Sequence, residues 1–342
     1  MRFGNNPTIR AVSTWLPDTR QTAEAAVRAG LVSEDDARAT GAREVPVSED
    51  ASGPEMAVRA ARRALALGGV AGADLDMVVH GWIYHQGQDF WSPAHYVAHQ
   101  LGAVDAIPMG VQQMCHVGAM GLHTAAVRLE ADPSVRTALV TTGDRFTAPG
   151  FDRWRSDYDA VFGDGGTAAV LARSGPGLRI VSYATSAAPE LETMYRGDDG
   201  FSPAPLTHSA PIDARRTKKA FLASGGMARF GEIGPQKVRS TLMTALAEAG
   251  LTPHDPRIRC ATLSRLGPKT IELLYLPIME DVLKAEILQL GGQTGHLGGG
   301  DALANLAHVW EEDLLAPGEY AISFSGGGGF TWSCLIVQRV VA

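Results

Sequence analysis

Short apolar strands alternate with alanine-rich amphipathic helices along this chain, and that alternation limits the fold more than any other feature. Asp76-Met77-Val78-Val79-His80-Gly81-Trp82-Ile83 reads as a strand after a helical stretch from Glu55 to Leu67. Thr137-Ala138-Leu139-Val140-Thr141-Thr142-Gly143 reads as another, after a helix that begins near Cys115. Strands that are apolar along their length are buried on both faces, and the helices between them supply the cover. The pattern is that of an α/β fold. A fainter feature divides it in two. Phe162-Gly163-Asp164-Gly165-Gly166 leads into an apolar strand, and Ser325-Gly326-Gly327-Gly328-Gly329 does the same about half a chain later. One reading is a duplicated half-domain, residues 1–173 and 174–342, with the joint at Ser174-Gly175-Pro176-Gly177. The other is coincidence, since glycine turns precede strands in many folds. Residues 188–216, rich in Pro, Asp, Ser and Gly, read as a lid over neighbouring regular structure.

Composition excludes several classes. The chain has 342 residues, enough for two halves around one large core. A net charge of −7 with scattered arginines argues against nucleic-acid binding. Three cysteines without C-x-x-C spacing, and no zinc pattern among ten histidines, suggest a reducing compartment and no metal. The start, Met1-Arg2-Phe3-Gly4-Asn5-Asn6-Pro7, has no apolar leader core, and no stretch reaches the roughly 18 apolar residues of a membrane span. A cytoplasmic, non-membrane protein is expected. Gly163-Asp164-Gly165-Gly166 opens a strand rather than a helix, which is wrong for a dinucleotide loop.

Cys115 carries the chemistry. It lies in Val111-Gln112-Gln113-Met114-Cys115-His116-Val117-Gly118-Ala119-Met120-Gly121, where an extended run turns into a helix. A thiol at a helix N-terminus faces unpaired N–H groups and the positive end of the helix dipole, which favours the nucleophilic thiolate. Gly118, Ala119 and Gly121 behind it let that helix pack closely against a neighbour. Read alone, the cysteine could equally be a small buried hydrophobe.

With the two glycine motifs and Phe330-Thr331-Trp332, the Cys115 turn makes the chain resemble the thiolase-fold condensing enzymes, specifically the ketoacyl synthase III branch, from about Thr8 to Val340. The resemblance implies a five-layered αβαβα fold of two similar halves and a homodimer. It also implies no cofactor, and an acyl group delivered to Cys115 from a thioester. By position, the N–H groups of Cys115 and Gly328 would form an oxyanion hole.

The departures from that family redirect the chemistry. Ordinary members use a histidine and an asparagine to stabilise an enolate. Here the histidine's segment reads Thr262-Leu263-Ser264-Arg265-Leu266-Gly267-Pro268, and the asparagine's reads Gly292-Gln293-Thr294-Gly295-His296-Leu297-Gly298-Gly299-Gly300-Asp301. His296 takes the asparagine's place and the usual histidine is lost. A single imidazole beside a thioester suits general-base work on an incoming hydroxyl. A small branch of the family with a shifted histidine acylates sugars and other hydroxylated antibiotic intermediates with groups such as malonyl. The expected reaction is therefore acyl transfer; a decarboxylating Claisen condensation is the alternative. Asp301 is the candidate to orient His296, unless it only caps the helix that follows.

Other residues carry expectations too. Phe90 and Trp91 are pocket walls, contributed across a dimer interface, or plain interface packing. His116 and His123 are expected to pack or cap, and Asp164 to close its glycine turn. Glu34 to Gly41 lacks the tryptophan that clamps adenine in coenzyme A users, which favours an acyl carrier protein over coenzyme A as donor. Arg215-Arg216-Thr217-Lys218-Lys219 is then a docking patch for the acidic carrier, or else a solvated helix start.

Overall fold

Local sequence explains where the principal helices begin and end. Ser52 and Glu55 form a reciprocal cap: Glu55 Oε2 accepts from the Ser52 N–H at 2.7 Å, and Pro54 sits in the first turn. The helix they start ends at Gly69, whose φ of 60° is left-handed. In this computed structural model the described residues are 1–4 and 7–341. Asn5 and Asn6, part of the start inspected above for an apolar leader core, lie outside them, as does Ala342.

The strands are β1 (Thr8–Trp15), β2 (Arg20–Thr22), β3 (Glu44–Pro46), β4 (Met77–Gly81), β5 (Ile107–Val111), β6 (Thr137–Asp144), β7 (Gly165–Ala172), β8 (Gly177–Ala187), β9 (Ile258–Thr262), β10 (Glu286–Leu288), β11 (Tyr320–Gly327) and β12 (Thr331–Val340). The helices are α1 (Ala23–Arg28), α2 (Glu34–Thr40), α3 (Gly53–Gly68), α4 (Pro93–Gln100), α5 (Val117–Ala131), α6 (Thr193–Arg196), α7 (Ala214–Ala223), α8 (Gly226–Ala249), α9 (Pro268–Thr270), α10 (Leu276–Val282) and α11 (Asp301–Glu311). Apart from the small β2–β3 ribbon, the strands form one run in the order β10-β9-β11-β12-β8-β1-β7-β6-β4-β5.

That order repeats. From each outer edge the run goes parallel, parallel, antiparallel, antiparallel, as β5-β4-β6-β7-β1 and again as β10-β9-β11-β12-β8. Strand pairing passes from one five-strand sheet to the other where Thr8 and Ile9 pair with Arg179 and Leu178. The strand after each glycine motif, β7 or β12, holds the same place in its own sheet.

Side-chain alternation then builds the layers. On β7, Ala169 and Leu171 face a central core while Ala168 and Val170 face outward; on β12, Leu335 and Val337 face in and Cys334 and Ile336 out. The central core contains α5 and α11. The outer face of the first sheet is covered by α3 and α4, and that of the second by α8 and α10. The result is the αβαβα sandwich expected from the resemblance. Each fully buried Leu or Ile in these layers contributes about 1.5–3 kcal/mol.

The layers close because glycines stand at their contacts. A Cβ on Gly166 would lie 2.2 Å from Met56 C and O in α3. Gly166→Ala is therefore expected to cost about 3 kcal/mol, whereas Gly231→Ala on α8, with open space around it, should gain about 0.5–1 kcal/mol. Urea midpoints of the two variants check both signs.

Candidate active site

The nucleophile's turn is tighter than the sequence implies. The helix starts at Val117 with His116 as its N-cap, so Cys115 precedes the helix rather than opening it. Met114 is left-handed at φ 48°, and the reversal lets Gln113 and Met114 carbonyls accept from the His116 and Val117 N–H groups at 3.2 and 3.0 Å. Those two N–H groups are thus already used. The small residues behind Cys115 do serve close packing. A Cβ on Gly118 would sit 2.4 Å from the Gly299 carbonyl oxygen, and one on Gly121 would sit 2.8 Å from Val140.

Gly299 belongs to the turn that carries His296. The His296 N–H donates to Val161 O at 2.8 Å and its carbonyl accepts from Gly163 N at 3.0 Å, so the glycine motif of the first half grips this turn of the second. Glycine is required on both sides: Cβ atoms on Gly163 and Gly295 would meet Thr294 O at 2.1 Å and Val161 O at 2.4 Å. The Phe162 ring packs on the imidazole, centroids 5.3 Å apart.

His296 and Asp301 come together. Nδ1 lies 2.6 Å from Asp301 Oδ2, with both side chains buried. The same carboxylate accepts from the Arg265 N–H at 2.7 Å and the Leu297 N–H at 2.9 Å. Asp301 is the first residue of α11, yet its side chain turns back to these donors, and Gly300 occupies the cap position. Burial works against charge on the imidazole, but Asp301 and Cys115 outweigh it and hold the His296 pKa well above its ordinary value. Burial likewise raises Asp301, and His296 and Arg265 bring it below the usual carboxylate range. Nε2 is buried, and the Cys115 thiol acts on the imidazole both by charge and by a side-chain hydrogen bond.

The second glycine motif is a hairpin end: Gly326 pairs with Trp332, Gly327 with Thr331, and Gly328-Gly329-Phe330 make the turn. A Cβ on Gly327 would lie 2.5 Å from His116 N, so this hairpin runs directly over the Cys115–His116 peptide. Gly328 is next along, faced by the Tyr195 ring.

Phe90 and Trp91 are not brought to Cys115 within the chain. They are exposed ahead of α4, Phe90 completely. The segment 188–216 contributes Tyr195 to the site, against Gly328 and Phe330, while Phe201 projects into solvent. Three members of the basic cluster are paired within the chain, and Lys219 stays exposed. Arg215 bonds to Asp36, Arg216 to Asp199, and Lys218 is buried against Asp157 and Asp159. Asp164 does not close its own turn; it accepts from Ser48 N, Phe146 N and Arg153. His116 is packed with both ring nitrogens unbonded, burial holding its pKa down at about 3, and His123 stacks on Tyr183.

Two residues escaped the sequence reading. Arg265 is buried, its Nε donating to Asn305 Oδ1 at 2.9 Å and Nη1 to Thr294 Oγ1 at 2.7 Å. Asp144, at the end of β6, accepts from Ile83 N, Tyr84 N and Gly299 N at 2.9, 3.0 and 3.0 Å, and burial pushes its carboxyl up to about 7. Its only sequence signal is a charged residue closing an apolar strand. Among the described residues no group of three His, Cys, Asp or Glu side chains could hold a metal, and no helix is long and apolar enough to cross a membrane.

Comparison with known proteins places this geometry. The 3-oxoacyl-[acyl-carrier-protein] synthase III family profile matches residues 109–189. The β-ketoacyl-[acyl-carrier-protein] synthase III of Bacillus pumilus is 25% identical over 292 residues, covering 85% of each chain. The solved structure of ChlB3, described as an acyltransferase, superposes with a TM-score of 0.87 at 28% identity over 98% of both chains. The synthase III of Aquifex aeolicus shares the fold, with a TM-score of 0.77 at 18% identity over 97% of this chain and all of the other.

Two outcomes follow from the geometry. Gly118→Ala should force α5 from the Gly299 turn and lower the enzyme's rate roughly 100-fold, since about 1 Å of misplacement has that effect, measured by single-turnover kinetics. His296 is raised on folding, so its share of stability is complete below its free value of 6.5 and is lost as pH rises through the folded value. Asp301 is lowered, so its share is present above 3.8 and is lost as pH falls through its folded value. The cost of Asp301→Asn, about 3 kcal/mol, should therefore be largest between these free values and shrink toward alkaline pH in urea melts.

Proposed function

We infer that this chain, a ketoacyl synthase III-like enzyme of thiolase fold, is an acyltransferase of antibiotic biosynthesis. It passes a short acyl group, malonyl or similar, from an acyl carrier protein or coenzyme A thioester through Cys115 to a hydroxyl of a sugar or another natural-product acceptor. One observation carries the reading: a single imidazole backed by a carboxylate at 2.6 Å serves Cys115, where a condensing enzyme needs two neutral donors for its enolate.

The steps balance on that group. Cys115 Sγ attacks the thioester carbonyl as its proton passes to His296 Nε2, and the tetrahedral oxyanion is held by the Cys115 and Gly328 N–H groups. Collapse breaks the donor's C–S bond, and the leaving sulfur takes the proton from Nε2. The acceptor hydroxyl then gives its proton to the freed Nε2 as its oxygen attacks the acyl-enzyme. The second collapse expels Cys115 sulfur, which recovers the proton. Asp301 fixes Nδ1 as the donor nitrogen throughout, leaving Nε2 as the base.

Supporting observations fill in the assembly. ChlB3 is itself described as an acyltransferase. The edge strand β5 and its surroundings expose Ile107, Val104, Met114, Phe90 and Trp91, an apolar row that suits a homodimer in which Phe90 and Trp91 reach the partner's acyl pocket. Division into halves at 173/174 agrees with the repeated strand order. A cytoplasmic location suits an enzyme fed by acyl carriers.

Intact-mass analysis with malonyl, acetyl and longer acyl thioesters tests the reading. An adduct is expected on the wild type, the same adduct formed more slowly on His296→Ala, which lacks the base that takes the Cys115 proton, and none on Cys115→Ala. Discharge to an added diol should slow at least 100-fold in His296→Ala. Loss of carbon dioxide from bound malonyl would instead favour condensation, and the absence of any adduct would remove Cys115 as nucleophile.

A further inference from the structure

We propose that Arg265 is a positioning residue whose buried guanidinium supplies the positive charge that lets Asp301 stay ionised while His296 is neutral. The inference rests on the reading of His296 as the base. It begins from where Arg265 stands. Its segment leaves β9, and two neighbouring residues tie the site's two loops together: Ser264 Oγ accepts from Gly326 N at 3.2 Å, and the Arg265 N–H donates to Asp301 Oδ2 at 2.7 Å. The guanidinium itself reaches only neutral groups, Asn305 Oδ1 and Thr294 Oγ1. Among the described residues it makes no ion pair, and Asp301 is the charge that acts on it.

Arg265 and Asp301 are nine-tenths or more buried, and an ion buried without compensation is expensive. Charge must therefore balance within the group. With Arg265 positive, Asp301 negative, His296 neutral and Cys115 a thiol, the sum is zero. Passing the Cys115 proton to His296 creates one positive and one negative charge, and the sum stays zero. In the acyl-enzyme Cys115 carries no charge and His296 is neutral again, so the sum is still zero. Every stage the mechanism visits is balanced. Without the guanidinium the balanced acyl-enzyme is an imidazolium on a carboxylate, and His296 keeps the proton that it must lose to act as base.

The other charges around the pair leave this account intact. Asp144, which His296 acts on directly and whose carboxyl burial pushes up to about 7, reaches the turn through Gly299, is met by three N–H donors and stays the same in every variant compared below. Behind Phe162, Asp164 is paired with Arg153. On the lid side Lys218 is matched by Asp157 and Asp159. His116 and His80 are kept uncharged by burial. Arg265 also lowers the Asp301 carboxyl, in the sense the proposal requires.

The test titrates His296 by NMR in protein labelled with ¹³C-histidine, in a Cys115→Ala background that mimics the uncharged acyl-enzyme. The resonance is assigned by its loss in His296→Gln. Arg265→Met should raise the titration midpoint by a unit or more, about tenfold less neutral imidazole at a fixed lower pH. Arg265→Lys, which keeps the charge, should restore a value near the parent's. A damaged fold alone would not separate these two. If Arg265→Met does not fold, Asn305→Asp sets a carboxylate on Nε and must move the midpoint the same way. An unmoved midpoint in folded Arg265→Met or Asn305→Asp overturns the proposal while leaving the base assignment standing. Undiminished transfer by His296→Ala would instead remove the base assignment itself.

Discussion

The approach of α5 to the turn at Gly299 is the constraint on which the rest of the site depends. A carbonyl oxygen stands where a Gly118 side chain would begin, so helix and turn touch through backbone alone. Cys115 lies just ahead of that helix and His296 just ahead of that turn. Their separation is therefore set by two rigid main chains and not by flexible side chains. The same device recurs at Gly163 and Gly295, where the first half's motif grips the second half's turn, and at Gly327, where the hairpin crosses the Cys115–His116 peptide. Side-chain-free contacts at three points fix Cys115, His296 and the hairpin relative to one another.

Layer architecture and the start of a helix just after Cys115 were legible because they follow from short-range rules. Apolar strands alternating with alanine-rich helices can bury themselves in few ways, and the paired glycine motifs do mark corresponding strands, β7 and β12. The position of Asp301 was legible as a choice between cap and orienter, and the direction of its carboxylate resolves which contacts it makes. What the sequence hid was pairing between distant residues. Arg215, Arg216 and Lys218 read as a free basic cluster, yet their partners Asp36, Asp199, Asp157 and Asp159 come from other segments. Arg265 and Asp144 were silent for the same reason. The cysteine's place two residues ahead of its helix depends on left-handed Met114, a conformation that no local propensity favours.

The site is also unusual in how it holds charge. His296, Asp301 and Arg265 are removed from water: the Asp301 carboxylate takes His296 Nδ1 and two backbone N–H groups, and the Arg265 guanidinium gives to two neutral side chains. Such an arrangement pre-sets which nitrogen carries the proton without calling on solvent to reorganise. It also places the His296–Asp301 pair against Phe162.

Asp144 ties together parts that otherwise look separate. Two of its three N–H bonds go to the root of the segment that ends in exposed Phe90 and Trp91, and the third goes to Gly299. One buried carboxylate thus acts as a pivot block between an outward-facing arm and the turn behind the imidazole. The arm cannot shift at its root without either tearing a bond from that block or dragging the turn along. Outer surface and reaction centre are geared together, and a load on one is felt as a displacement of the other.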